Sequence, residues 1–499
     1  MSRVIAALRQ HAAATPYRVA LQDGREAITY GELPGLIDRL ADGLRRLNPR
    51  VLAIHADNSA AWVLADLAAR LAGVPVVPLP LFFSPAQIAH VVRTAGIDLV
   101  LSEQPQRLSG SEPAMTSVDF YADMRCVRLD PVAAPGPALP PGTQKVTFTS
   151  GTTGEPKGVC LGLEEMEAVA ESLRVASAGR PDDRHLCLLP LATLLENIGG
   201  IDTPLLAGAT ICVPPLARVG ISGSSGLDAM RLAAAFDEWQ ATSAIMVPQM
   251  LHALVAACES GVPVPRALRY LCVGGAPVAM GLLERARALG LPVHEGYGLS
   301  ECASVVAVNH CGDSRIGSVG RPLPHVRLSF APDGEIMVRG LRWRGYVGEP
   351  ALAPREEPIA TGDLGHLDED GFLHLTGRKK SIFITSFGRN VAPEWVEREL
   401  VSHAAIAQAA VFGEARPFNC AVIAAHPTAT EQAIDDALAQ VNERLPDYAR
   451  VRAWLPAAER FTPGSGTLTP NGRLRRAAIF TRYAAHIDAL YQQLQQPTP

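Results

Sequence analysis

Thr147-Phe148-Thr149-Ser150-Gly151-Thr152-Thr153-Gly154-Glu155-Pro156-Lys157-Gly158 is a run of small and hydroxylated residues closed by a lysine. Before it, Lys145 to Thr149 alternate apolar and polar side chains as a strand does. Beyond it, Met166, Val169, Ala170 and Leu173 recur at helical spacing, so the run is expected between a strand and a helix. That placement suits phosphate. Small residues let backbone N–H groups turn inward around an anion, hydroxyls add donors, and Lys157 brings a compact positive charge. Pro156 stands where a Walker A loop requires glycine, so the run is not of that type. A flexible Ser/Gly loop has the same composition, and the segment needs company before it carries a function.

Working outward, the chain of 499 residues is 48% hydrophobic and 19% charged, enough apolar material for more than one core. Its 45 basic and 50 acidic residues leave a formal charge of -5, which gives no reason to expect nucleic acid or an anionic membrane as partner. A small molecule fits better. Nine scattered cysteines lack the short spacings of zinc or redox motifs and read as reduced thiols of a cytoplasmic protein. Arg9, Gln10 and His11 interrupt the apolar residues near the start, so no signal peptide forms. The most hydrophobic window, Trp62 to Phe83, contains Asp66, Arg70 and prolines; it reads as a buried helix followed by a strand and a turn, not a membrane span.

Short β-branched runs alternate with Ala/Leu-rich helical stretches, the pattern of α/β layers with mostly parallel sheets. Pro131 to Gly142 reads as a connecting loop and Val219 to Gly226 as a loose Gly/Ser stretch. Asp370-Gly371 lies between two strand-like segments, a hairpin signal. Ile382-Phe383-Ile384 reads as a strand, and a helix is expected to begin near Pro393. The domain boundary is placed at Arg378 to Lys380, giving residues 1–378 and 379–499.

Thr149-Ser150-Gly151-Thr152-Thr153-Gly154-Glu155-Pro156-Lys157-Gly158 resembles, nearly letter for letter, the signature of the adenylate-forming superfamily of acyl-CoA synthetases, peptide-synthetase adenylation domains and luciferases. Further segments match in the same order. Gly296-Tyr297-Gly298-Leu299-Ser300-Glu301 is similar to the family's Gly-Tyr-Gly-x-Thr-Glu, Thr361-Gly362-Asp363-Leu364 to its Tyr-x-Thr-Gly-Asp-Leu, and Gly377-Arg378-Lys379-Lys380 to the start of its hinge. The resemblance implies a large, multi-layer α/β amino-terminal domain with sheets flanked by helices, and a small mobile α+β lid that turns near Lys380. It implies ATP, Mg2+ and coenzyme A, or the phosphopantetheine of a carrier protein, as cofactors.

Attack of a carboxylate on the α-phosphate brings two anions together, so such a site must neutralise charge and align the attacking oxygen. On the resemblance, Thr149 to Gly154 and Lys157 cradle phosphate, Glu301 and the Thr149 hydroxyl serve magnesium, and Ser300 keeps the hydroxyl of the usual threonine. Gly274-Gly275-Ala276-Pro277, after the strand-like Tyr270 to Val273, is similar to the adenine-wall loop; Glu295, Gly296, Tyr297 and Gly298 complete the nucleotide set. Asp363 and Arg378 are the expected ribose partners.

Leu189-Pro190-Leu191-Ala192-Thr193-Leu194-Leu195-Glu196 resembles a segment of fatty acyl-CoA synthetases, with Thr193 replacing a pocket-gating histidine. Leu191 falls where amino-acid-activating relatives carry an aspartate, so an amino acid is disfavoured and an apolar or fatty acid favoured. Thr193, Leu194, Val247 and Gly275 are the candidate pocket residues, with Pro248 beside them. Gly388, in a loop matching long-chain acyl-CoA synthetases, is expected at the pantetheine tunnel. Arg473 stands where the family places its adenylation lysine, and a planar fork does not reproduce a compact ammonium. The expected function is an AMP-forming acid–thiol ligase with coenzyme A as default acceptor. An acyl-carrier-protein ligase, and a nucleotide-binding homologue weakened at Arg473, are the alternatives.

Overall fold

The computed structural model describes residues 2–108, 117–129, 138–150, 156–223, 226–340, 343–349, 357–469 and 472–495. Its contacts divide the chain into two compact units. One comprises Met1–Ala276, Ala286–Leu328 and Val338–Ile359; the other comprises Pro277–Arg285, Ser329–Met337 and Ala360–Pro499. Residues 360–378 therefore group with the carboxy-terminal part, although the sequence boundary falls after them.

Two sheets organise the first unit. The nine-stranded one has a parallel centre in the order Val293–Tyr297, Tyr270–Val273, Ser243–Met246, Arg184–Leu186, Thr210–Cys212, Val19–Gln22. Antiparallel strands close its two edges. Ser243–Met246 and Tyr270–Val273 are buried at every position, as parallel strands covered on both faces must be. The eight-stranded sheet runs from Gly345–Tyr346 through Pro156–Leu161, Lys145–Ser150, Val76–Pro78, Leu52–His55, Leu99–Ser102 and Met124–Arg128 to Ser117–Tyr121.

Alternation along its strands makes two cores. Leu52 and Ile54 join a cluster with the helices Leu33–Leu47 and Ala60–Ala72, and with Leu21 and Ile211 of the other sheet. Val51 and Ala53 point the opposite way, toward Ile88, Val91 and Ala95 of the helix Pro85–Ala95. That helix is closed by a capping box between Ser84 and Gln87 and by Gly96 in the left-handed region. Every residue of Ala60–Arg70 is buried, including Trp62 at 0% exposure, because this helix is covered on all sides. The expected helix, strand and turn of the Trp62 to Phe83 window are present.

In the second unit, Ile406–Phe412 and Asn419–Ala425 pair antiparallel, and Asn419–Ala425 and Val451–Pro456 pair parallel. Ala409 and Val411 face the helices Pro393–Val401 and Glu431–Arg444, while Ala410 and Phe412 face Ile479, Tyr483 and Tyr491 of Arg476–Gln495. The hairpin at Asp370-Gly371 forms between Ile359–Leu367 and Leu373–Arg378, and Pro393 begins a helix, both as read from the sequence. Helix Met280–Ala288 contributes its first turns to this unit: Arg285 Nη1 donates to the Ser402 carbonyl at 2.9 Å. The architecture is the α/β fold of a large amino-terminal and a small carboxy-terminal part.

Candidate active site

The phosphate-like run does not join a strand to a helix. Lys145–Ser150 and Pro156–Leu161 pair antiparallel, with Thr149 opposite Lys157 and Ser150 opposite Pro156, so a second strand intervenes before the helix Leu163–Ala176. The expectation overlooked that Val159-Cys160-Leu161 is itself a buried strand segment. Gly151, Thr152, Thr153, Gly154 and the side chains of Thr149 and Ser150 lie outside the described residues. Lys157 is described, with its ammonium 5.1 Å from the centre of the Tyr346 ring and 3.8 Å from Glu349 Oε1. Gly158 leaves no room for a side chain: a Cβ there would come within 2.8 Å of Val347 and 2.9 Å of Phe148.

Glu301 sits in a short helical turn, Ser300–Cys302, that follows the strand Val293–Tyr297. The turn is tied by backbone bonds from Cys302, Ala303 and Ser304 back to Leu299 and Ser300. Ala303 (φ 53) and Ser304 (φ 90) are both left-handed without being glycine, and that strain ends the turn sharply. Gly298 permits it, because a Cβ would lie 1.7 Å from the Ser304 carbonyl oxygen. Half-buried Glu301 accepts a hydrogen bond from the Tyr346 hydroxyl at its Oε1, 2.8 Å away. Burial raises the Tyr346 phenol well above its usual range, and the bond to Glu301 adds to the shift, so it remains an O–H donor. No described residue donates to Glu301 Oε2. A half-buried carboxylate whose second oxygen has no donor among the described residues suits a divalent cation that keeps water and phosphate oxygens as its other ligands.

At the carboxyl ends of neighbouring parallel strands, Gly274 follows Val273 and approaches Gly296: a Cβ on Gly274 would be 3.3 Å from the Gly296 carbonyl and 3.8 Å from Leu195. Gly275 has φ +82, and its Cβ position is 3.7 Å from Val247. Backbone without side chains therefore meets Leu195 and Val247 here, the arrangement expected of a wall for a flat ligand. Ligands of open α/β sheets bind at such strand ends. Glu295 and Tyr297 are buried in the strand, and Ala276 is exposed. Pro277, also exposed, belongs to the other unit by its contacts.

Behind Leu195 lies a cavity of about 40 Å3 walled by Leu173, Gly199, Thr203, Ala244, Ile245 and Cys272. Of the four expected pocket residues none lines it: Thr193 is exposed, Leu194 is buried, and Val247 and Gly275 stand by the flat wall. Part of the wall is a π-helix, Asn197–Asp202, whose extra residue per turn places Gly199 against Ile245. Polar groups around the cavity are committed to one another. Arg269 Nε donates to Asp183 Oδ1 at 2.6 Å and its Nη1 to the Ser177 carbonyl at 2.6 Å. His185 bonds Ser243 through Nδ1 at 3.1 Å and Glu196 through Nε2 at 3.2 Å. Glu196 in turn accepts from the Leu189 N–H at 3.0 Å, closing the Leu189 to Glu196 segment on itself. Burial and Glu196 hold the adjacent Cys187 thiol well above its ordinary range.

In the second unit, Asp363 and Arg378 are register partners across the hairpin, with Arg378 Nε 2.7 Å from Asp363 Oδ1. Arg473 is near both: crowding by surrounding protein and Arg378 lower its guanidinium, while Asp363 and Glu394 oppose the shift. Its side chain still reaches solvent. Lys379 binds Asp333 at 2.6 Å and Glu335 at 2.9 Å, and Lys380 is exposed in the turn after it. Gly388, at φ +70, closes a loop through its N–H to the Thr385 carbonyl at 2.9 Å, with Phe387 exposed beside it.

Tyr346 and Glu349 escaped the sequence reading. Gly345-Tyr346 carries no periodicity and no titratable pair, and only the sheet brings it beside Lys157. His185 escaped for the same reason.

A family model for AMP-binding enzymes matches residues 8–342, and one for the AMP-binding enzyme C-terminal domain matches residues 380–495. The chain is 30% identical to a long-chain-fatty-acid–CoA ligase, FadD15, of Mycobacterium bovis, over 87% of this chain and 86% of that protein. It is 29% identical to a feruloyl-CoA synthase of an Amycolatopsis species, over 94% and 96%. The fold superposes on the crystal structure of the anthranilate–CoA ligase AuaEII in complex with anthranoyl-AMP with a TM-score of 0.80 at 19% identity, covering 98% of both chains. With both family models matched in order, and with relatives similar over nearly their whole length, the chain belongs to the AMP-binding enzyme family of adenylate-forming enzymes and is an acid–thiol ligase of the acyl-CoA synthetase type.

Proposed function

We propose that this enzyme activates an apolar carboxylic acid with ATP and passes the acyl group to coenzyme A. In the first step a carboxylate oxygen attacks the α-phosphorus of ATP, the bond to pyrophosphate breaks, and an acyl adenylate forms. In the second, the thiolate of coenzyme A attacks the acyl carbon and AMP leaves with the electron pair of the broken C–O bond. The observation that carries this reading is the meeting of Lys157 and Glu301, far apart in sequence, on the single residue Tyr346. Lys157 offers charge to phosphate oxygens, and Glu301 offers an oxygen to a divalent cation, which when bound would neutralise charge on the phosphates. Gly274 and Gly275 offer a bare backbone wall to adenine. Asp363 is the candidate acceptor for ribose hydroxyls, with Arg378 and Arg473 beside it.

The substrate reading rests on the cavity behind Leu195. Its walls are mainly apolar and its polar groups already paired, so an apolar tail loses least by entering. Space of about 40 Å3 holds roughly three waters at about 10–15 Å3 each, which favours a compact acyl or aryl tail over a long chain. Acid-dependent exchange of pyrophosphate into ATP, run from butyrate to palmitate and over aryl acids, should peak among the compact apolar acids. Absence of exchange with every acid sinks the first half-reaction, and a maximum at palmitate sinks the compact-tail reading.

Arg473 motivates the second reading, a nucleotide-binding protein of weakened chemistry. ATP binding without exchange, restored by Arg473→Lys, is the outcome that favours it. Comparing coenzyme A with holo carrier proteins as acceptor separates the two kinds of thiol.

A further inference from the structure

Lys157 and Glu301 carry opposite charges in one unit, and a direct ion pair between them would spend both. Tyr346 touches each instead. The two-residue strand Gly345–Tyr346 pairs antiparallel with Pro156–Leu161, Tyr346 opposite Val159. On either side of it, the Arg344 N–H donates to the Cys160 carbonyl at 2.7 Å and the Val347 N–H to the Gly158 carbonyl at 2.9 Å. This fixes the tyrosine along the strand that bears Lys157. Trp343, only 9% exposed, meets the Tyr346 ring edge-on with centroids 4.1 Å apart and an interplanar angle of 77°, which holds the ring plane. The held ring presents its face to the Lys157 ammonium and its hydroxyl to Glu301 Oε1. A ring face attracts a cation without adding a charge to the one that Glu349 already brings to Lys157 at 3.8 Å, and one O–H bond steadies a carboxylate without occupying both its oxygens.

We propose that Tyr346 is a positioning residue for adenylation, fixing the metal-binding orientation of Glu301 through its hydroxyl and the place of the phosphate lysine through its ring. The role rests on the adenylate-forming reading of the site. It makes the two contacts separable, since phenylalanine keeps the ring and removes only the hydroxyl.

The test is calorimetric titration of ATP into the full chain, with EDTA and over a series of Mg2+ concentrations, for the natural protein, Tyr346→Phe and Tyr346→Leu. Loss of a hydrogen bond that orients a metal ligand lowers metal affinity by roughly tenfold or more, so Tyr346→Phe should need about tenfold more Mg2+ for the same gain in ATP affinity, with its metal-free affinity unchanged. Tyr346→Leu should also lose roughly threefold in metal-free affinity, the scale of an exposed cation–π contact. Should the leucine variant fail to fold, the phenylalanine variant still decides. A Tyr346→Phe protein with natural Mg2+ dependence overturns the role, as does one weakened equally with and without Mg2+, which marks a merely structural tyrosine. ATP binding by the natural protein that ignores Mg2+ overturns the nucleotide-site reading and this role together; a normal Mg2+ response there with none of the expected shift in the variant overturns this role alone.

Discussion

His294 shows how one side chain can set a pH dependence for the whole first unit. It stacks on Tyr270 with ring centroids 4.4 Å apart and an interplanar angle of 18°, and it is buried. Burial first, then Arg287 and His310, push its imidazole down to about 4. The unfolded chain, with a value near 6.5, takes up the proton earlier as pH falls, so the folded state is fully favoured above about 6.5 and loses ground down to about 4. A shift of this size is worth up to about 3 kcal/mol. Urea unfolding across that window should show the loss, and His294→Phe, which keeps the stacked ring, should remove it from the profile. An identical pH slope in the variant excludes this histidine as the source. His294 was invisible in the sequence as anything but a strand residue, because its shift comes from neighbours that the sheet brings together. Lys157 and Glu301 could be singled out as candidates for the opposite reason: each lies in a local run whose residue order resembles a family segment. Tyr346 lies in no such run.

The strand Lys145–Ser150 begins with a buried lysine, 2% exposed, which ties three elements together. Its ammonium is 2.8 Å from Asp66 Oδ1 on the helix Ala60–Ala72 and also bonds Asn197 on the π-helix. Arg70 lies 3.6 Å from Asp66 and 3.0 Å from Asp202, so two cations and two carboxylates are buried together. Burial pushes Lys145 down and Asp202 up, each toward its neutral form. Removing one charge leaves another unpaired, so Lys145→Met should destabilise by about 3–5 kcal/mol in urea unfolding. Adding Asp66→Leu restores the balance around Arg70 and Asp202 and should recover much of that loss. A single variant as stable as the natural chain would show the cluster to be dispensable. Elements with strong patterns were legible, among them Tyr270–Val273, the Asp370-Gly371 hairpin and the helix at Pro393. Pro156–Leu161 was not, because Pro156 and Gly158 are poor strand residues whose place is secured by partners on both sides.

Across the whole molecule, the alternation of strand and helix patterns was enough for the α/β class, because parallel sheets covered on both faces leave long apolar runs. The grouping of Pro277–Arg285 and Ser329–Met337 with the carboxy-terminal unit was not readable, since it rests on contacts such as Lys379 with Glu335 and Arg285 with Ser402 between segments distant in sequence. A ligase of two half-reactions asks for parts that serve only one of them, and Gly388 is the residue proposed to serve only the second. A Cβ there meets nothing within 4 Å, so substitution fills no space and breaks no packing. Its φ of +70 makes Gly388→Ala strained by about 1–2 kcal/mol, locally and in an exposed loop. Global unfolding of the variant should therefore stay close to natural, and pyrophosphate exchange should be retained. Coenzyme A-dependent AMP release should fall by roughly tenfold, the kinetic equivalent of about 1.4 kcal/mol. A parallel fall in exchange assigns the loop to adenylation as well, and unchanged AMP release removes Gly388 from the thiol step.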